Sequence, residues 1–169
     1  MIYIGLGSNL RGPYGCPKEN CLKSLRLLDS FGIRVLKISS LWKSFPFPRF
    51  SGPKYINAVA KCKISENLIA NPKNTLKILK MIELKMGRKI KLINSPRIID
   101  LDLLDFNSIT IEEELILPHP RLHLRRFVLE PLLEVEPNWR HPKTGKPVKK
   151  MITQLRDKWS VIKIKNTNA

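Results

Sequence analysis

The stretch Ser95-Pro96-Arg97-Ile98-Ile99-Asp100-Leu101-Asp102-Leu103-Leu104-Asp105-Phe106 decides how the chain folds. After Pro96 it is rich in Ile and Leu, contains no Gly, and reads as a β-strand. Side chains alternate along a strand, so Ile99, Leu101 and Leu103 share one face while Asp100 and Asp102 share the other, about 7 Å apart. Two carboxylates that close repel each other unless a cation or basic group sits between them. Spacing alone favours the plain reading, a half-buried strand whose polar face meets water. Against it, Ile98, Leu104 and Phe106 fall on the Asp face, which is therefore not simply a wet one. Arg97 stands at the strand entrance, within reach of an anion held by the same metal. The pattern points to a divalent-cation site that handles phosphate, with hard oxygen ligands suited to Mg²⁺. On this reading, removing either carboxylate relieves repulsion and leaves the apo protein no less stable.

Upstream of that strand, Asn71-Pro72 reads as a cap and first helical position, opening a helix that runs to Met86 and stops at Gly87. Leu76, Leu79 and Met86 form its apolar stripe, and Glu83 falls on it. A carboxylate on an apolar stripe needs a partner. It is either a stripe-edge Glu paired with a neighbouring Lys or a functional group, and the pattern leaves both open. Gly87 to Asn94 is a basic loop leading into the Asp strand.

Earlier elements follow the same logic. Tyr3 to Gly7 is a short buried strand; Gly5-x-Gly7 continues to Leu10, so the dinucleotide fingerprint fails at its third glycine. Leu22, Leu25 and Leu28 with Phe31 recur at helical spacing before Gly32 stops the helix. Ile33 to Trp42 alternates as a strand. Ser44 to Pro53 holds three prolines and cannot continue a ladder, so it is a long loop carrying three aromatics. Tyr55 to Ile64 is the next strand, with Tyr55, Asn57 and Val59 on one face. Strand, helix, strand, strand, helix, strand is the ferredoxin-like βαββαβ order, an α+β fold with an antiparallel sheet and helices packed on it. Beyond the core, Ile109 to Leu117 adds a strand, with a hairpin to the Asp strand as one way to place it. Pro118 to Phe127 turns into a helix interrupted by Pro131. His119 and His123 are four apart, but without a Glu between them they form no zinc-protease motif. A helix over Val148 to Leu155 and a strand over Trp159 to Ile164 finish one domain, 1–165, and residues 166–169 are expected to fray.

Composition bounds the rest. A chain of 169 residues, 43% apolar, suits a single soluble domain, and no apolar run approaches the ~20 residues of a membrane span. Met1 to Gly7 enters a strand pattern directly, which is unlike a signal peptide. Three cysteines without a Cys-x-x-Cys are read as reduced thiols in the cytoplasm, and the chain is expected to be a monomer. The net charge of +17 invites nucleic acid. The densest run, Lys143 to Lys165, carries eight Lys/Arg against one acid, but aromatics are not interleaved with it as stacking platforms would be, Trp159 being its single one. A small, highly phosphorylated substrate would be drawn in equally well, so charge permits nucleic acid without selecting it.

Several stretches taken together resemble the 6-hydroxymethyl-7,8-dihydropterin pyrophosphokinases of folate biosynthesis. They are Gly7-Ser8-Asn9-Leu10, Tyr55-Ile56-Asn57-Ala58, Ile82-Glu83 with Gly87-Arg88, Pro96-Arg97-Ile98-Ile99-Asp100-Leu101-Asp102, Leu117-Pro118-His119-Pro120, and Arg125 with Phe127-Val128-Leu129-Glu130-Pro131-Leu132. They occur in the family's order across nearly the whole chain. The resemblance implies a ferredoxin-like core and transfer of pyrophosphate from MgATP to the pterin's hydroxymethyl group, with AMP released. It implies that Asp100 and Asp102 hold two Mg²⁺ ions. Tyr55 and Phe127 would sandwich the pterin, Asn57 would bond its edge, and Ser44 and Pro46 would line the pocket. Glu83, Lys91, His119 and Arg125 would face the nucleotide, with Arg88 and Arg97 acting on phosphate. The family commonly writes an Arg and then Trp-Gly-Pro-Arg before the metal strand. Here Asn94-Ser95-Pro96-Arg97 stands instead, with Ile90 or Lys91 near the missing Arg, in a loop one residue shorter. A Lys is not a bidentate Arg. The competing readings are a nucleic-acid-binding α/β domain and a degenerate pterin- or nucleotide-binding homologue.

Overall fold

Strand β1 (Ile2–Ser8) has a hydrogen-bonded partner on each side, and both sheet faces are built outward from it. The structure is a computed structural model, which describes residues 1–46, 52–65, 71–88, 96–156 and 161–164. After β1 come α1 (Pro17–Ser30), β2 (Ile33–Ile38), β3 (Trp42–Ser44), β4 (Tyr55–Ile64), α2 (Pro72–Lys85) and β5 (Asp100–Phe106). β5 and β4 flank β1, both antiparallel to it. The long β4 then carries β2 against its second half and β3 against its first. The β5-β1-β4-β2 array with α1 and α2 on one face is the expected ferredoxin-like core. The run from Ile33 to Trp42, expected as one strand, is two. The buried Ser39 breaks it by accepting the Val59 N–H at 3.0 Å with its hydroxyl, so both pieces still pair with β4.

Local chemistry places the helices. The Asn71 side chain accepts the Lys73 and Asn74 N–H groups, and Pro72 opens α2. Glu19 accepts the Cys16 N–H at 2.6 Å at the start of α1, where Pro17 is the first residue. The buried stripe of α1 is Asn20, Cys21, Ser24, Leu27 and Leu28. Leu22, expected on that stripe, is exposed. The helix is rotated because the Asn20 carboxamide donates to the Leu10 carbonyl at 3.0 Å, which turns its face inward.

The second sheet face is also covered. A 3₁₀ turn (Leu122–Leu124) leads to α3 (Arg126–Val135), and α4 (Val148–Gln154) packs beside it; Val128, Leu129, Leu132, Val148 and Met151 meet Tyr3, Val59 and Leu104. α3 runs through Pro131 rather than breaking there, giving up only the bond that the proline cannot donate. The Ile109–Leu117 segment does not join the Asp strand. Its two short strands, β6 (Ile111–Glu112) and β7 (Ile116–Leu117), pair with each other. β8 (Val161–Lys163) extends the sheet beyond β3. No helix among the described residues is long and apolar enough to cross a membrane.

One bulge changes the reading of β5. Tyr3 faces Asp105 and Ile4 faces Leu103, so Leu104 is an extra residue on β5. Alternation inverts there, and Phe106 lies with Leu101 and Leu103 in the α1–α2 core, not on the Asp face as expected. Asp105 turns instead toward α3, where it accepts the Trp139 indole N–H at 2.7 Å and the Ser108 N–H at 2.9 Å. Burial pushes its carboxyl above the usual range.

The corrected α1 stripe is testable by chemical denaturation. Leu28→Ala, at a fully buried position, should cost about 2–5 kcal/mol. Leu22→Ala should change stability by no more than about 0.5 kcal/mol. Equal costs at the two positions would contradict this packing.

Candidate active site

β1 places a glycine between the two halves of the site. Gly7 pairs with Asn57 on β4 and with Asp100 on β5; Gly5 pairs with Val59 and Asp102. Directly opposed residues share a face, so Asn57 and Asp100 look out from the same side, two inter-strand steps or about 10 Å apart. A Cβ at Gly7 would lie 3.6 Å from Asn57 Oδ1 and 3.9 Å from both the Asp100 Cβ and the Tyr55 ring. The missing side chain is the floor of a trough between an aromatic–amide wall and a carboxylate wall.

On the carboxylate wall, cations from three segments converge. Arg88, just past α2, reaches Asp100 Oδ1 at 2.7 Å, and Arg97, entering β5, reaches Oδ2 at 2.9 Å. Arg125, before α3, reaches Asp102 Oδ2 at 3.2 Å, with His119 Nε2 3.8 Å from the same oxygen. Burial alone would raise the Asp100 carboxyl, but Arg97 and Arg88 outweigh it and hold the group below the usual carboxylate range. Burial lowers the His119 pKa, and Arg125 and Arg121 reinforce this against Asp102, so the ring is neutral at pH 7. Its Nδ1 accepts the Arg121 N–H at 3.2 Å, which leaves the proton on the Nε2 that faces Asp102.

Glu83 lies behind this wall, only 1% exposed. It accepts the Leu101 N–H at 2.7 Å, pairs with Lys80 at 3.0 Å, and contacts Arg88. The neighbouring Lys of the plain reading is present, and Glu83 also contacts Arg88, which reaches Asp100. Lys80 carries a charge that the sequence reading left unnamed, although its i−3 spacing from Glu83 was visible. Burial pushes the Glu83 carboxyl up against the lowering effects of the Leu101 N–H, Lys80 and Arg88.

On the other wall, Asn57 Nδ2 donates to Ser44 Oγ at 2.9 Å and to the Trp42 carbonyl at 3.3 Å, which fixes its amide plane. Tyr55 is half-buried; burial raises its hydroxyl pKa, opposed by the charge of the nearby Arg97 guanidinium. Arg125 stacks over the Phe127 ring at 5.6 Å, so the aromatic residue touches a member of the carboxylate wall. Pro46 is half-buried beyond the end of β3. Lys91 and the altered 94–95 positions lie outside the described residues.

The donor set suits one class of metal. Asp100 and Asp102 offer hard oxygens on one face, and no cluster of three or more His, Cys, Asp or Glu side chains stands ready for a metal among the described residues. One or two carboxylates completed by substrate phosphates is how Mg²⁺ is commonly held, so the residues fit that ion.

Comparison with known proteins gives one family. Residues 3–137 match the model of 7,8-dihydro-6-hydroxymethylpterin-pyrophosphokinase (HPPK). The 2-amino-4-hydroxy-6-hydroxymethyldihydropteridine pyrophosphokinase of Aquifex aeolicus is 36% identical over 149 residues, covering 88% of this chain and 88% of that protein. Its counterpart in Bacillus subtilis is 36% identical, covering 80% and 77% respectively. The folic acid synthesis protein fol1 of Pneumocystis carinii is 37% identical over 92% of this chain, which spans only 20% of that longer protein. A triple mutant of Plasmodium falciparum HPPK-DHPS superposes with a TM-score of 0.71 over 90% of this chain and 43% of its own; at 15% identity it shows the shared fold alone.

Two stability predictions follow from the wall. The expectation that removing an Asp leaves the protein no less stable ignored the guanidinium groups. Asp100→Ala strips Arg88 and Arg97 of a shared partner and should cost about 1–3 kcal/mol, read by thermal or urea unfolding; an unchanged or raised stability would contradict it. Glu83 titrates the other way. Its folded pKa is raised, so its contribution is fully present below the ordinary value of 4.5 and is lost as pH rises through the folded value. Glu83→Gln keeps an acceptor for Leu101 and removes this loss. The variant's melting temperature relative to wild type should therefore rise from pH 4 to pH 7, and a fall would contradict the assignment.

Proposed function

The chain belongs to the 7,8-dihydro-6-hydroxymethylpterin-pyrophosphokinase family, and from that premise we propose that it transfers pyrophosphate from ATP to 6-hydroxymethyl-7,8-dihydropterin. The observation that carries this reading is the trough at Gly7, with a flat-ring wall on one side and a carboxylate–arginine wall on the other. Tyr55 and Phe127 stack the pterin and Asn57 bonds its polar edge, with Ser44 and Pro46 lining the same end. The hydroxymethyl oxygen then points across Gly7 toward the phosphates. It attacks the β-phosphorus of ATP, the bond from that phosphorus to the α–β bridging oxygen breaks, AMP leaves with that oxygen, and the hydroxyl proton passes to solvent water.

Such a transfer demands in-line placement and charge neutralisation more than covalent chemistry. Arg88, Arg97 and Arg125 donate to phosphate oxygens, and the neutral His119 offers its Nε2 proton beside them. Glu83 acts through Arg88, and Lys91 adds a charge from the basic loop. Asp100 and Asp102 would hold Mg²⁺, two ions in this reading, which when bound neutralises phosphate charge. The three free cysteines suit a reducing compartment, so the cytoplasm is the proposed location, and one copy of the chain carries every residue named. The nucleic-acid reading is set aside, because it has no use for paired carboxylates that repel phosphate and already engage three of the site's arginines.

AMP production from ATP and Mg²⁺ with and without the hydroxymethyl pterin tests the proposal. Release should depend on the pterin, and Asp100→Ala or Asp102→Ala should lower it by about 10²-fold or more. Near wild-type turnover in either variant at saturating Mg²⁺ would remove the carboxylates from the site. Tyr55→Ala and Phe127→Ala should each weaken pterin binding by ~1 kcal/mol or more and have little effect on nucleotide affinity in titration calorimetry.

A further inference from the structure

Asn9, the residue after β1, has no role in the reading above, yet it bonds to both sides of the trough. It is buried, 4% exposed. Its N–H and that of Leu10 donate to the Arg97 carbonyl at 3.1 and 3.3 Å. The Arg97 N–H returns a bond to Asn9 Oδ1 at 2.8 Å. The other end of the same carboxamide, Nδ2, donates to the Pro53 carbonyl at 3.1 Å. Arg97 enters β5 and reaches Asp100; Pro53 lies two residues before Tyr55 at the start of β4. Ser8 reinforces one arm, its hydroxyl donating to the Ile98 carbonyl at 2.5 Å.

Only a carboxamide fits both tasks on so short a side chain. It offers an acceptor and a donor at once, whereas an ionised Asp only accepts and an Ala does neither. The Arg97 side chain in turn bonds Asp100 and its charge acts on the Tyr55 hydroxyl, so displacement of the Arg97 backbone is felt on both walls.

We propose that Asn9 is a positioning residue whose carboxamide sets the distance between the Arg97 segment and the Pro53–Tyr55 segment, and so between phosphate donor and pterin acceptor. This rests on the transfer reaction proposed above. Asn9 touches neither substrate; it acts through the two segments. Misplacement by about 1 Å between reacting groups costs on the order of 10²-fold in rate, far more than it costs the binding of either partner alone.

The test separates rate from binding. Wild type and Asn9→Ala are compared for kcat of pterin-dependent AMP release, and for separate dissociation constants of 6-hydroxymethyl-7,8-dihydropterin and α,β-methylene-ATP. The Ala variant should lose about 10- to 100-fold in kcat while each dissociation constant shifts by less than about threefold. Asn9→Asp keeps the Arg97 bond and loses the Pro53 bond, so its kcat should fall between the two; it also carries the test should the Ala variant not fold. An Ala kcat within twofold of wild type, or dissociation constants that rise as far as kcat falls, would overturn the proposal. Failure of both variants to fold would overturn it too, making the amide a requirement of the fold alone. If the wild type itself released no pterin-dependent AMP, the transfer reaction would be at fault, and that outcome is read before any variant.

Discussion

Two carboxylates on one face of β5 repel each other, and the site is arranged to relieve that repulsion. Arg88 follows α2, Arg97 precedes β5, and Arg125 precedes α3, so three distant parts of the chain are drawn to one strand. The effect is electrostatic first: Asp100 stays ionised although largely enclosed, because two guanidinium groups outweigh its desolvation. Those same arginines are the groups a polyphosphate needs. A site of this kind can exchange carboxylate for phosphate as the arginines' partner without moving its backbone supports.

The supports are what make that exchange local. Glu83 binds the Leu101 N–H from beneath and contacts Arg88, so one buried carboxylate ties α2 to β5 at the level of the site. Asp105 does the equivalent at the far end of the strand through Trp139, fixing the α3 side. Between them the bulge at Leu104 lets one strand present carboxylates to the trough and then send Phe106 into the opposite core. β5 is held at both ends by carboxyls whose pKa burial raises, while the half-buried carboxyl of Asp100 is lowered by its arginines.

Much of this was legible in the sequence. Period-two alternation placed β1, β4 and β5, the Asn71-Pro72 cap and Gly87 bounded α2, and the order of elements gave the ferredoxin-like core. Asp100 and Asp102 came together as read. What was missed has physical causes. Leucine spacing alone puts Leu22 in the core because it ignores polar residues; the true stripe is turned by the Asn20 carboxamide, a tertiary bond. The split at Ser39 depends on a hydroxyl bonding a neighbouring strand. Phe106 fell on the wrong face because a bulge depends on the partner strand and leaves no local signature. The pairing of Asp100 with arginines 12 residues before and three before it needs the fold to bring them together. The covering of the second sheet face by α3 and α4 was likewise beyond periodicity.

The central claim is that the trough moves an intact pyrophosphoryl unit across Gly7. ATP labelled at its β-phosphorus tests it most directly. With the hydroxymethyl pterin and Mg²⁺ present, the account predicts that the label leaves the nucleotide and appears on the pterin, with unlabelled AMP in equal amount. Label retained in ADP, or released without attachment to the pterin, would contradict it.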